Sequence, residues 1–425
     1  MNKLDPIALT KELVAINSVN PFKSVTFQGK EYGVGNEDEI NSYLHTLLSE
    51  LGFHVEKQIY QAEIKDEAGK IIVPERSNIF ASKGNLEKSI LFLAHTDTVD
   101  IKEGWKCDPL VGYEESIEGE QRFYALGSND MKSGIAAILS AVQDVTPKFF
   151  NIKIALVSDE EYWSYGAHAL TQDKFLNDVK LCIVPELMEY ASPDRSQWLG
   201  LGRLGRVEYQ VDILGKSCHG ADAFTTTEGI NAVHESIKIQ NELLKFIENS
   251  KDTFTKGEIR VTNSAYISQQ IGGKAILSVP DRAQFIVDRS LIPTESVEGE
   301  FEKLNEYLDK LKKDGIINPL VKVSCTLRTR PTPPCNPYFI EEDSSLTQWI
   351  ISLISREGET VRCGIGRSVA DENRIAALGI PTYIIPPRGG DSHTNSEWVI
   401  LDSIVTISNT FKSICESKDL IAILD

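Results

Sequence analysis

The sequence has no C-x-x-C pair, no internal repeat, no low-complexity tract and no apolar run approaching the length of a membrane span. A transmembrane helix needs about 20 apolar residues, so no helical span is expected. Cysteine is sparse: Cys107, Cys182, Cys218, Cys325, Cys335, Cys363 and Cys415 are odd in number and widely spaced. That spacing argues against a disulfide frame or a cysteine zinc knuckle, and reduced, mostly buried thiols are expected. Basic residues are also in deficit, 44 Lys and Arg against 62 Asp and Glu, for a net charge of −18. Such a surface repels nucleic acid and anionic lipid, so the expected partners are small molecules or short peptides, with no nucleic acid and no membrane. Met1-Asn2-Lys3-Leu4-Asp5-Pro6 lacks the charged-then-apolar pattern of a signal peptide, which predicts a cytoplasmic protein.

At 425 residues the chain is long for one core, and two domains are expected. Asp5-Pro6 ahead of Ile7, Leu9, Leu13, Val14 and Ile16 predicts a helix capped by an acid, with proline in its first turn. A second helix follows Glu37-Asp38 through Ile40, Leu44, Leu47 and Leu51, with Gly52 to close it. Strand-like runs recur at 53–60, 78–82, 90–95, 152–157 and 181–184, and their alternation with helices predicts an α/β sheet covered on both faces. The pattern then changes. Val207, Tyr209, Val211 and Ile213 alternate with Glu208, Gln210 and Asp212, the period of an antiparallel strand with one exposed face. Helices near 230–248 and 297–312 and a strand near 284–289 complete an inserted α+β domain. Pro331, Pro333, Pro334 and Pro337 read as the linker back, and helices at 346–356 and 370–378 with a strand at 381–385 resume the α/β pattern. The expected division is 1–203, 204–331 and 332–425, with the first and third parts forming one domain.

Chemistry-bearing residues recur where these strands end. The run 90–94 stops at His95-Thr96-Asp97, and strand alternation puts His95 and Asp97 on one face, where the carboxylate can orient the imidazole. Asp130 opens a helix, Asp159-Glu160-Glu161 follow the run 152–157, Glu186 follows 181–184, and His393 closes the segment after 381–385. Taken singly, each has a plain structural reading: a His–Asp pair, a helix N-cap at Asp130, a solvated acidic turn at 159–161. Open α/β sheets gather their sites at the C-terminal strand edge, and all five candidates converge there. Three carboxylates bring a charge of about −3, which suits two divalent ions of total charge about +4. Zinc fits this mixed shell of imidazole and carboxylate, and cobalt or manganese suit it as well.

His95-Thr96-Asp97-Thr98-Val99, Asp130-Met131-Lys132-Ser133-Gly134, Asp159-Glu160-Glu161, Gly215-Lys216-Ser217-Cys218-His219-Gly220-Ala221 and Asp391-Ser392-His393-Thr394 resemble, in order, the motifs of one zinc metallopeptidase family. That family contains the acetylornithine deacetylases, succinyl-diaminopimelate desuccinylases, aminoacylases and glutamate carboxypeptidases. The similarity runs from the first helix, through Ser18-Val19-Asn20-Pro21, to Ile404. It implies a mixed-sheet α/β zinc-exopeptidase catalytic domain with an inserted ferredoxin-like α+β lid that also dimerises. It implies that His95 and Glu186 hold one metal, Glu161 and His393 the other, and Asp130 bridges them. Glu160 would be the general base and Asp97 the partner that orients His95. His219 would stabilise the oxyanion, often from the partner subunit, and Arg289 would bind the substrate carboxylate. Arg367 and Arg388 flank the expected pocket and would favour an anionic substrate.

The chain departs from the family pattern in three places. Leu277 stands where the family usually has Asn, Pro185-Glu186-Leu187-Met188 replaces Glu-Pro-Thr and leaves Glu189 as an alternative ligand, and Gly366-Arg367-Ser368-Val369-Ala370-Asp371 replaces Gly-Thr-Ser-Asp. The resemblance implies a dinuclear amide hydrolase acting on an N-acyl amino acid or small peptide with a free carboxylate. A dipeptidase or carboxypeptidase is the alternative. A non-catalytic metal-binding homologue is a third reading, and such a protein would have no need of Glu160.

Overall fold

In the strand Ser89–His95 every residue is buried, although successive side chains point to opposite faces, so the sheet is covered on both sides at this point. The computed structural model describes residues 3–20, 25–27, 30–32, 37–61, 64–65, 71–72, 75–188, 195–224, 229–273 and 276–424. Pro21 and Glu189 lie outside the described residues. Asn151–Val157 and Val179–Val184 run parallel to Ser89–His95 on either side, and Thr382–Ile384 runs parallel to Val179–Val184. Antiparallel strands flank this parallel centre: Glu75–Lys83 and then His54–Gln61 on one side, Gln197–Arg203 on the other. The sheet is therefore mixed, and its four parallel strands end on one edge. A second sheet, ordered Gly389–Gly390, Trp398–Ile400, Glu120–Tyr124 and Tyr113–Ile117, is antiparallel throughout.

Local chemistry explains the helix boundaries. Asp5 caps Pro6–Ala15 by accepting from the Ile7 and Ala8 amides at 2.8 and 2.9 Å. Gly52, at a φ of 79°, closes Asp38–Glu50. Glu37 precedes that helix without capping it, because its carboxylate is turned to Arg76. The plain N-cap reading of Asp130, taken singly, does not hold. Ser128–Lys132 is an irregular turn in which Asp130 has φ −123° and ψ 90°, and the regular helix is Ser133–Val142. The Asp130 carboxylate faces two histidines and not the helix amides.

The compact units are Met1–Gly202 with Phe339–Asp425, and Arg203–Tyr338. The second unit runs strand, helix, strand, strand, helix, strand: Gly205–Leu214, Ala232–Asn249, Ser264–Gly272, Arg282–Leu291, Val297–Lys313 and Lys322–Leu327, with the hairpin Thr253–Lys256 and Ile259–Thr262 inserted. This is the ferredoxin-like order, and all its sheet pairings are antiparallel. Val207, Tyr209, Val211 and Ile213 pack with Ile239, Leu243, Leu304 and Leu308 into one core. The proline-rich segment stays with this unit: the Arg206 amide donates to the Cys335 carbonyl at 3.0 Å, and the Val297 amide to Asn336 Oδ1 at 2.8 Å. That backbone pairing places the boundary at 338/339 where 331/332 was expected.

Phe285 is fully enclosed in the core of the second unit. Phe285→Ala is expected to lower the unfolding free energy by about 3–5 kcal/mol in a urea titration. A loss below about 1 kcal/mol would mean that the core does not close around this ring.

Candidate active site

The C-terminal edge of the parallel strands delivers the polar residues. His95 ends Ser89–His95, and register places it opposite Val157, the last residue before Ser158-Asp159-Glu160-Glu161. Glu186 follows Val179–Val184, and His393 lies in the loop between Gly389–Gly390 and Trp398–Ile400. The irregular turn at 128–132 brings Asp130 between them.

The two oxygens of Asp130 divide the cluster. Oδ1 is 3.0 Å from His95 Nε2, which is 3.1 Å from Glu186 Oε2. Oδ2 is 3.0 Å from His393 Nε2, which is 3.1 Å from Glu161 Oε2. His95, Asp130, Glu161 and Glu186 have almost no exposed side-chain surface, whereas the His393 side chain is 54% exposed. One ligand atom each from His95, Asp130 and Glu161 falls within 4.8 Å of the others.

The charge balance of this cluster calls for cations. Burial alone would push His95 down, yet Glu186, Asp130 and Asp97 hold it well above its ordinary value. Asp130 and Glu161 hold His393 up at about 11. Burial and the neighbouring Asp130 push Glu161 up to about 7. Burial also lifts Glu160 well above the usual carboxylate range; His95 pulls it down, while Asp371, Glu186 and Glu161 push it up. Against its burial, the two histidines hold Asp130 below the usual carboxylate range, so the imidazoles already serve as the cations of a cluster that is short of positive charge. The donor set of two imidazoles and three carboxylates is one that two divalent ions fit.

Behind the cluster, Asp97 acts as a clamp. Its carboxylate accepts from the amides of Glu160 and Glu161 at 3.1 Å each, and from Asn20 Nδ2 at 2.9 Å. His95 Nδ1 lies 3.0 Å from the Asp97 carbonyl oxygen and 3.6 Å from its carboxylate, so the main chain of Asp97 is the nearer support of the ring. Asn20 also donates to Asp159, which is ion-paired with the buried Arg76.

Two further acids, Glu397 and Asp371, join the site. Glu397, buried, accepts from the amides of Gly127, Asn129 and Asp130 at 3.1, 2.8 and 3.0 Å, and so fixes the turn that carries Asp130. Burial and then Asp130 push its carboxyl up to about 8. Asp371 is buried, neither of its oxygens has a hydrogen-bond partner among the described residues, and burial above all pushes it up to about 8. The sequence signal for Glu397 is a lone acid beside a strand end, whereas Asp371 ends the stretch Gly366-Arg367-Ser368-Val369-Ala370-Asp371 that departs from the family pattern.

The other expected residues fall as follows. Arg388 is in the first unit and donates from Nη1 to Glu120 at 2.9 Å. Arg367, also there, is exposed. His219 and Arg289 belong to the second unit. His219 is exposed, and its Nδ1 accepts from the Ala221 amide at 3.2 Å. Arg289 is buried and ion-paired with Glu295 and Glu300 at 2.7 and 2.6 Å, so its guanidinium is already engaged by two carboxylates. Leu277, at φ 62°, occupies a left-handed conformation that Asn adopts more readily than Leu.

A mixed sheet with an acidic, histidine-bearing edge and an inserted ferredoxin-like unit defines a metallohydrolase architecture. Residues 91–417 match the peptidase family M20/M25/M40, and the chain belongs to that family. It is a metal-dependent hydrolase of amide or peptide bonds. Among its relatives, a protein described as an uncharacterized metallohydrolase from Methanocaldococcus jannaschii is 25% identical over 96% of this chain and 98% of its own length. An acetylornithine deacetylase from Photorhabdus laumondii is 26% identical over 84% of each chain, and a succinyl-diaminopimelate desuccinylase from Ehrlichia canis is 26% identical over 66% of each. In fold the chain is similar to a tripeptidase from Staphylococcus aureus, with a TM-score of 0.67 at 18% identity over 98% of each chain. It is likewise similar to a metallo-carboxypeptidase from Sulfolobus solfataricus, with a TM-score of 0.67 at 17% identity over 97% of this chain and 98% of that one.

At pH 7 the metal-free His393 carries a proton, because Asp130 and Glu161 hold it up at about 11. A ligand imidazole must be neutral, so binding a divalent ion expels that proton and tightens as pH rises. Zinc titration calorimetry in buffers of different ionisation enthalpy is expected to show release of about one proton or more per chain. Binding with no proton release would contradict the arrangement.

Proposed function

We propose that this chain hydrolyses the amide bond of an N-acyl amino acid or short peptide bearing a free carboxylate, in the manner of a deacetylase or desuccinylase. The observation that carries the reading is the sharing of Asp130 between a His95–Glu186 pair and a His393–Glu161 pair, with Glu160 beside them. His95 and Glu186 would hold one divalent ion, Glu161 and His393 the second, and Asp130 both. Zinc is the first choice, and cobalt or manganese suit the same donors. When bound, such ions polarise a scissile carbonyl and lower the pKa of water.

The protein's own groups do the rest. Glu160, lifted above the usual carboxylate range by burial, accepts a proton from the attacking water and passes it to the departing nitrogen. Asp97 holds the Glu160 and Glu161 amides, so the base and a metal ligand keep fixed positions. Asp130 is kept in place by the three amides that Glu397 accepts from. With Nδ1 of His219 accepting from Ala221, Nε2 carries the ring proton and can donate to an oxyanion. That donor role, a homodimer through the second unit and a cytoplasmic location are parts of the same proposal.

Glu160→Gln is expected to lower turnover by about 10²-fold or more while metal content stays that of the wild type. Turnover that survives the substitution would overturn the assignment. A screen of acyl-ornithine, succinyl-diaminopimelate and dipeptides, reading released amine, separates deacylase from peptidase. Cleavage of dipeptides alone would replace the deacylase reading with the dipeptidase one.

A further inference from the structure

Beside the metal-ligand cluster, and wholly within the first unit, lies a cavity of about 70 Å³. Its wall includes Asn129 and Leu187, the chain neighbours of Asp130 and Glu186, so it lies next to the segments that carry those two residues. A water molecule occupies about 30 Å³ of liquid, which makes the cavity large enough for a group of carboxylate size.

The wall is positive. Arg122, Arg195 and Arg388 line it against a single carboxylate, Glu120. Glu120 is shared among them: Arg388 Nη1 donates to it at 2.9 Å, and Arg195 and Arg122 approach it at 3.7 and 3.9 Å. Arg195 is also met by Glu118, whose carbonyl accepts at 2.8 Å and whose carboxylate lies at 3.8 Å, so Arg122 and Arg388 are left to share Glu120. Arg122 Nε and Arg388 Nε are buried and have no hydrogen-bond partner among the described residues. Buried N–H groups left unpaired are rare, and those on a guanidinium are costly. Arg122 is held in place by stacking on Trp398, 3.9 Å from the ring centroid, and Trp398 Nε1 donates to Asp391 at 3.2 Å. The donors are therefore fixed before any ligand arrives, which lowers the entropy lost on binding.

We infer that this cavity is a carboxylate-binding subsite in which Arg122 and Arg388 seat an anionic group of the substrate beside the scissile amide. This rests on the proposed amide hydrolysis and deepens it: the specificity for an acid is assigned to the catalytic unit. Arg289 differs in charge balance: its Nε is likewise without a partner among the described residues, but its guanidinium is faced by two carboxylates, Glu295 and Glu300. The carboxylate can come from the acyl group or from the amino acid.

Three substrates separate these sources in the metal-loaded enzyme: N-succinyl-alaninamide, with an acyl carboxylate only; N-acetyl-alanine, with an α-carboxylate only; and N-acetyl-alaninamide, with neither. Arg122→Gln is expected to raise KM about tenfold or more for one of the two acids, leaving the neutral compound and the metal content unchanged. The acid affected identifies which end the cavity reads. Equal changes for all three compounds, or none, would overturn the inference. Titration calorimetry with succinate gives a readout that needs no turnover. If the wild type cleaves none of the three, the deacylase reading fails, and the cavity still stands or falls on whether Arg122→Gln and Arg388→Lys each weaken succinate binding by about tenfold. Unchanged succinate affinity in both variants overturns it.

Discussion

The structure depends on mutual repulsion among carboxylates at one sheet edge. Asp130, Glu160, Glu161 and Glu186 end up close together because three parallel strands and one irregular turn finish at the same place. In water these acids would separate; here the strands are buried, apart from Lys180, and cannot retreat. The repulsion shows in the ionisation behaviour, where burial and Asp130 lift Glu161 to about 7 while its neighbours hold His393 at about 11. Divalent cations would relieve this repulsion, and the same crowding of carboxylates that is costly without them suits the cluster to hold them.

The supporting layer answers that repulsion with backbone amides and one arginine. Asp97 takes two amides, Glu397 takes three, and Arg76 is shared between Glu37 and Asp159. Amides supply partial positive charge without a flexible side chain, so they hold the carboxylates at fixed positions. Glu160 benefits most: its amide is pinned to Asp97 while its carboxyl sits among groups that raise its proton affinity.

Much of this was legible in the sequence where a pattern changes sharply. An apolar run that stops at His95, or at Asp159-Glu160-Glu161, marks a buried strand delivering polar groups to an edge, and the structure has those strands there. The alternation from Val207 to Ile213 likewise announced a strand with one covered face. The same period along Arg282–Leu291 places Arg289 on the face of Phe285 and Val287, the side that forms the core, which is why its guanidinium meets Glu295 and Glu300 and not solvent. What stayed hidden is long-range. Glu397 reaches amides at 127–130, and Arg76 reaches Glu37 and Asp159, contacts that no local period encodes. The helix Leu401–Glu416 was missed for a different reason: Ser403, Ser408 and Thr410 are buried along it and interrupt its apolar stripe. Asp130 sits before a helix yet turns away from it, so a capping rule placed the residue and misread its task.

The central claim is that Asp130 is shared by two cations. A crystal structure of the zinc-loaded protein, with anomalous scattering recorded at the zinc edge, tests it most directly. The account predicts two zinc peaks, one between His95 and Glu186 and one between His393 and Glu161, each touching a different oxygen of Asp130. A single peak, or two peaks with Asp130 bound to only one of them, would contradict it.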